Sequence, residues 1–228
     1  MDIRFMQEQL PLYTEAAKIT IYIALIGIVC SVLLGMICSI VRYFRIPVLS
    51  WIVSCYIELS RNTPLLIQLF FLYFGLPKAG IVLSSEACAI IGLTFQGGSY
   101  MAEVFRSGLE NVSTIQKESA LALGMKKSQV LIHIILPQAL ANSIPAICAN
   151  MIFLIKETSV FSAVALADLM FVTKDLIGIY YKTDEALFML VIAYLVILLP
   201  VSLLCSLDRK STRLNSSHQP QSRMPSSA

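Results

Sequence analysis

An all-α membrane protein of about five transmembrane helices, with its N-terminus outside and its C-terminus inside, is the fold class this sequence predicts. Three observations predict it. The 228 residues are 57% hydrophobic and only 14% charged, with a mean hydropathy of +0.77, whereas soluble domains carry about 25% charge. Three segments of 22 or 23 residues (19–41, 134–155 and 186–207) contain no charge at all, and roughly 20 apolar residues suffice to cross the hydrocarbon core. Finally, the Arg and Lys residues that border these segments fall into a pattern that fixes an orientation.

The first eighteen residues are polar and mildly amphipathic, with Pro11 placed to start or break a helix. The first span is 19–41, too long for a cleaved signal peptide and without a small-residue cleavage site. Arg42 and Arg45 hold its far end in the cytoplasm. The apolar region 46–76 is interrupted by Glu58, Arg61 and Pro64, so its membrane-buried part is 62–76, preceded by an interfacial helix. Phe70, Phe71, Tyr73 and Phe74 suit an interfacial aromatic belt. Pro77, Lys78 and Gly80 form a short external loop, and 81–102 is the third span, with a Gly97-Gly98-Ser99 step that permits close helix approach. A polar cytoplasmic loop, 106–133, leads to the fourth span at 134–155. The mixed segment 156–185 reads as a partly buried hairpin or re-entrant piece plus an external loop, and the fifth span is 186–207. Residues 1–208 thus form one transmembrane domain.

Residues 209–228 share nothing with that domain. They hold four Lys/Arg, no acid and six serines, and removing them turns the net charge of +3 slightly negative. The basic balance therefore implies no nucleic-acid partner. The segment resembles read-through from cloning-adapter DNA and is set aside from the fold as non-native; a native disordered tail is the alternative. The six cysteines stand singly in apolar stretches and only two histidines occur, which leaves no metal or disulfide pattern and reads as small apolar side chains in helix packing.

The loop 106–133 is the informative segment. Glu118 to Leu123 suits a short helix, Gly124 a left-handed cap, and Lys126 to Ile135 a second helix, with Pro137 near a helix start. Glu118 is placed to cap or anchor the loop. Polar residues at or near membrane depth form a second group. Glu58/Arg61 and Glu103/Arg106 are i, i+3 pairs that could share a helix face or act at a gate. Thr94, Gln96 and Tyr100 lie at a depth where they could line a pathway or simply pack, and Lys156 and Glu157 close the fourth span on different faces. His133 sits at the cytoplasmic edge and reads as interfacial.

The run Glu118-Ser119-Ala120, three residues, Gly124, nine residues, then Ile134-x-Leu136-Pro137 resembles the EAA loop of bacterial ABC-importer permeases, with Ser119 where that family usually has Ala. The segments 58–66 (ELSRNTPLL), 98–106 (GSYMAEVFR), 136–139 (LPQA) and 154–159 (LIKETS) resemble the polar amino acid branch of the same family, in order and spacing. The resemblance covers roughly residues 12–208. It implies a type I importer permease of the bacterial cytoplasmic (inner) membrane, itself without catalytic residues or cofactor. It implies as partners two ATPase subunits that bind ATP and Mg, an extracytoplasmic solute-binding protein, and a second permease subunit, identical or different. It also implies that Glu118, Ser119, Ala120, Gly124, Ile134, Leu136 and Pro137 belong to the ATPase-docking loop. The cargo would be a polar amino acid, for which Lys156 or Glu157 could face the path of a zwitterion. None of the ten glycines precedes a lysine, so the chain has no Walker A loop of its own. A self-sufficient secondary carrier or channel for a small polar solute is the competing reading, and it lacks a series of acids through the spans. A membrane-embedded enzyme is third, for want of a reactive cluster at depth.

Overall fold

The computed structural model describes residues 1–217, with side chains described through residue 206. Every regular element among them is helical. Helix α1 (Ile3–Tyr43) is 41 residues long, about 61 Å at 1.5 Å per residue. It begins where the Asp2 side chain accepts a hydrogen bond from the Phe5 amide (3.1 Å), and it runs straight through Pro11, where a start or break is expected from sequence. The turn after it places Arg45 at φ +50°. Helix α2 (Pro47–Asn62) opens on a proline, whose missing N–H costs nothing at a first turn. It stops at Thr63-Pro64, and α3 (Leu65–Phe70) resumes the path, widening through a π turn (Phe71–Gly75) and then tightening into a 3-10 turn (Leu76–Ala79). The Gln68 amide donates to the carbonyls of Thr63 (2.9 Å) and Ser60 (3.2 Å), so the break leaves backbone acceptors satisfied.

Helix α4 (Ser85–Glu110) is capped by Ser84, whose hydroxyl accepts from the Ala87 amide. The loop that follows carries α5 (Thr114–Ala122) and α6 (Lys127–Val130). A π turn (Leu131–Ile135) joins α6 to α7 (Leu136–Glu157) without interruption. After a 3-10 segment (Thr158–Val164), α8 (Leu169–Tyr180) is capped by Asp168, and α9 (Thr183–Ser217) is the last described element. The helix therefore enters the segment read from sequence as extraneous; residues 218–228 of that segment lie outside the described residues.

Helix α4 is central, packed on α1, α7 and α2. Its closest seam is with α1, where Gly27, Ser31 and Gly35 repeat every fourth residue on one face. A Cβ on Gly27 would lie 2.5 Å from the Leu93 side chain, and one on Gly35 would lie 2.4 Å from the Met101 Cβ. Ser31 donates to the Gly27 carbonyl (2.6 Å), with the Leu93 carbonyl as an alternative acceptor at 3.2 Å. Small residues let backbones meet where no hydrophobic effect drives helices together, because lipid is as apolar as the side chains. Ile23, Leu93, Met101, Leu154 and Phe161 fill the core around this seam.

A second cluster joins the first turns of α1 to α8 and α9 through Phe5, Tyr13, Leu169 and Val172. Tyr13 donates to the Ala186 carbonyl (2.8 Å) and bonds the Thr173 hydroxyl (2.9 Å). Asp2 and Lys182 form an ion pair there, and the Asp2 amide donates to Glu185 at 2.8 Å.

The outer faces are apolar: Ile21, Leu25, Val29 and Leu33 of α1 and Val191, Leu195, Leu199 and Leu203 of α9 are exposed. Faces of that extent suit lipid, not water. Three helical stretches, Ile3–Tyr43, Lys127–Val164 and Thr183–Ser206, are long and apolar enough to cross a membrane. Helix α4 is less apolar because protein surrounds it: Gln96 and Ser99 are buried against neighbouring helices.

Candidate functional site

The connection between α4 and α7 is a folded unit with a small core of its own. Val112, Ala120, Val130, Ile135 and Ala139 are buried together, with Met125 and Leu109 packed against them. Helix α5 ends in a paired cap: the Gly124 amide donates to the Leu121 carbonyl (3.0 Å) and the Met125 amide to the Ala120 carbonyl (3.2 Å). This closure needs a left-handed residue, and Gly124 has φ +85°. The Lys126 amide then donates to the Gln129 side chain at 2.8 Å, starting α6. The short helix, glycine cap and second helix predicted from spacing are all present.

The side chains named from sequence divide between an inward and an outward face. Ala120 faces inward, whereas Glu118 and Ser119 are exposed. Glu118 makes no hydrogen bond or ion pair among the described residues, so it neither caps nor anchors the loop from within. Ser119 stands in the open, where a hydroxyl in place of a methyl costs nothing in packing. Ile134 is half-buried and Leu136 and Pro137 are exposed, while Ile135 and Ala139 form the core contacts. The π turn at Leu131–Ile135 inserts a residue and rotates the inward face by one position, which helical spacing alone does not reveal. His133 bonds the Gln129 carbonyl locally (3.0 Å). The unit presents Ile115, Leu121 and Leu123, the last 84% exposed, around the two exposed polar residues. A rigid unit with apolar side chains turned outward is suited to receive a partner.

At the base of the loop its two flanking helices are held against each other. A Cβ on Gly108 of α4 would lie 2.1 Å from the Ser143 hydroxyl and 2.6 Å from the Ala139 carbonyl of α7. At the same end, Arg42 of α1 pairs with Glu103 (2.5 Å), Glu103 with Arg106 (2.8 Å), and Arg106 with Glu110 (2.7 Å). The Glu103/Arg106 pair is thus present, within a four-residue chain of charges that ties α1 to α4.

Glu58 and Arg61 do not pair among the described residues. Glu58 takes the Asn62 amide (3.1 Å), and the Arg61 guanidinium lies 5.5 Å from the Tyr100 ring centroid. Tyr100 in turn meets Phe153 edge to face at 5.4 Å. Cation, phenol and phenyl so form one stack across α2, α4 and α7. Beside it, Ser60 donates to Ser99 (3.0 Å) or to the Phe95 carbonyl (3.0 Å), and Tyr56 to the same carbonyl (2.6 Å). The buried oxygens Gln96 Oε1, Thr94 Oγ1 and Gln68 Oε1 have no hydrogen-bond partner among the described residues. Buried polar atoms are normally satisfied, so this seam keeps acceptors in reserve. Gln68 is absent from the sequence expectation; its position just past Pro64 was the available signal. Glu157 is half-buried and Lys156 exposed at the end of α7, consistent with different faces.

Residues 18–210 match the family described as binding-protein-dependent transport system inner membrane component. Among relatives, the chain is 38% identical over 165 residues to the Bacillus subtilis protein named "Probable glutamine ABC transporter permease protein GlnP", covering 72% of this chain and 76% of that one. It is 32% identical over 163 residues to the arginine transport system permease protein ArtQ of Bacillus subtilis, covering 71% and 74%. Among solved structures it is similar to a chain of an amino acid ABC transporter with histidines, with TM-score 0.87 and 29% identity over 92% of this chain and 99% of that one. The MetNI methionine ABC transporter shares the fold, with TM-score 0.69 and 20% identity over 93% and 99%.

Proposed function

Because the chain belongs to the binding-protein-dependent transport system inner membrane components, we propose that the importer it serves carries a polar amino acid and is driven by ATP bound elsewhere. The chain is a membrane permease subunit of an ABC importer for amino acids. The cargo class follows from the relatives, whose names include glutamine and arginine transport.

In this reading Arg42, Arg45 and the α5–α6 unit face the cytoplasm, the N-terminus faces outward, and the membrane is the bacterial inner membrane. The paths of α1, α2–α3, α4, α7 and α9 make five crossings. Two ATPase subunits supply ATP and Mg chemistry, a second permease subunit completes the pathway, and an external solute-binding protein delivers cargo. The observation that carries the docking role is the preformed α5–α6 unit, capped at Gly124 and showing Leu123 and Ile115 outward. Closing the ATPase pair pushes two such units together. Because Gly108 locks α4 to α7, and the α1 stripe locks α1 to α4, the push moves these helices as one body and does not dissipate in the loop. ATP supplies the bias by binding one state better than the other. The Arg61–Tyr100–Phe153 stack and the open acceptors of Gln96 and Thr94 offer a cation and hydrogen-bond acceptors along the moving seam.

Co-expression with the ATPase and binding protein encoded beside the gene, followed by ATP hydrolysis and uptake in proteoliposomes with a panel of amino acids, tests this. Hydrolysis stimulated by loaded binding protein, together with uptake of one polar amino acid, is expected. A correctly inserted chain that captures no ATPase and moves solute down an ion gradient would replace the reading with a secondary carrier.

A further inference from the structure

The end of the molecule that carries Arg42 and Arg45 holds a cavity apart from the polar seam, to which α5 of the docking unit lends one residue, Lys117. It measures about 680 Å³, within the range of small-molecule sites. It opens between the α1–α2 turn and the α4–α5 connection, and Arg42, Arg45, Arg106, Lys117, Ser50 and Ser54 are among its lining residues. Two of the four cations are already committed: Arg42 to Glu103, and Arg106 to Glu103 and Glu110. Arg45 and Lys117 have no ion pair among the described residues, so the cavity keeps two uncompensated positive charges from different elements. Arg45 also sits at φ +50°, a conformation that L residues other than glycine rarely adopt.

A narrower groove of about 220 Å³ adjoins this cavity. The two share Ser39, Tyr43 and Leu109 as a common wall. Beyond that wall the groove is apolar, lined by Met36, Ile40, Phe105 and Leu136. Basic chamber and apolar slot thus meet at the last turns of α1, where the helix leaves its apolar stretch. A soluble anion would use only the chamber, and a hydrocarbon only the slot. An amphiphile with an anionic head uses both.

We propose that this paired cavity binds one anionic phospholipid of the cytoplasmic leaflet, its phosphate between Arg45 and Lys117 and an acyl chain along the slot. The placement rests on the orientation given above; the binding itself does not depend on transport. Basic pockets between helices at the cytoplasmic side take such headgroups, because clustered cations meet an anion that the leaflet holds at fixed depth. Lys117 belongs to α5, so the occupied site connects the lipid to the docking unit.

The full chain purified in detergent is examined by native mass spectrometry with dioleoyl phosphatidylglycerol, with dioleoyl phosphatidylcholine, and with glycerol phosphate, which has the headgroup chemistry without chains. One retained phosphatidylglycerol, with little phosphatidylcholine or glycerol phosphate, is expected. The double variant Arg45→Gln/Lys117→Gln is expected to hold it ~30-fold more weakly, roughly fivefold per cation removed, while Arg45→Lys/Lys117→Arg retains it. Equal retention of both lipids, or no change in the double variant, overturns the site. Comparable binding of glycerol phosphate makes it a soluble phosphate site instead. If the double variant keeps its lipid but no longer copurifies with the ATPase, the surface belongs to that subunit and the proposal fails. Circular dichroism of each variant confirms that the helices are retained.

Discussion

Replacing Gly124 separates conformational cost from steric cost, because a Cβ at this position would meet nothing within 4 Å. All of the penalty then arises from φ +85°. A left-handed conformation costs an L residue about 1–2 kcal/mol, so Gly124→Ala is expected to reduce the correctly capped loop roughly five- to thirtyfold relative to alternatives. Gly124→Asn should lose much less, since Asn tolerates the left-handed region, and Gly124→Val should lose most, as a β-branched residue there is a severe outlier. The remainder of the unit keeps its core of Val112, Ala120, Val130, Ile135 and Ala139, so membrane insertion should be unaffected. The assay is solute taken up per ATP hydrolysed in proteoliposomes, with insertion checked by detergent extraction. Coupling should fall in the order Gly, Asn, Ala, Val. If Ala and Val couple as well as Gly, the cap does not position the docking surface and the reasoning is wrong.

Gly35→Leu should be far more damaging than Gly178→Ala, because the first added carbon meets the Met101 Cβ at 2.4 Å and the second meets nothing; thermal melting in detergent should show a large loss for one and little change for the other. Arg61→Ala, which removes the cation over Tyr100, should impair uptake with little effect on melting, whereas Arg61→Lys should retain part of the activity; equal uptake by all three would remove the stack from the pathway. The hydrogen bond from Lys182, and after it the Phe5 amide, hold the Asp2 carboxyl below the ordinary range. Its contribution is therefore complete above the ordinary carboxylate value near ~4 and disappears as pH falls through the lower folded value. Melting curves between pH 7 and pH 2 should show a smaller acid dependence for Asp2→Asn. Truncation after Asp208 should leave uptake unchanged, and a large loss would establish the residues beyond it as part of the working protein.

The α5–α6 unit was the most legible part of the sequence. A glycine between two short helical patterns has few physical solutions, and Gly124 adopts the expected one. Pro64 likewise marks the division between α2 and α3. What spacing could not give was register. The π turn at Leu131–Ile135 makes Ile135, not Ile134, the buried residue, and nothing in an apolar run such as Leu-Ile-His-Ile-Ile announces an inserted residue. Pairing was also only half legible: Glu103 meets Arg106, but Arg61 turns to an aromatic ring contributed by a different helix, information that local sequence does not contain. The α1 stripe of Gly27, Ser31 and Gly35 was visible in principle as small residues at i, i+4, although its partner on α4 was not. Pro11 suggested a boundary where the helix continues, with the Thr14 hydroxyl bonding the Pro11 carbonyl at 2.7 Å.

The private core of the α5–α6 unit has a consequence for how a complete transporter assembles. A flexible loop would lose about 1–2 kcal/mol of backbone entropy for each residue ordered on contact, and its capture would wait on that ordering. Here Ala120, Val130 and Ile135 are buried before any second chain arrives, so an encounter need only align two finished surfaces. Under the docking proposed above, subunits would join in any order and exchange without refolding, and the surface around Leu123, not the loop's ability to fold, would be the point at which one assembly is distinguished from another.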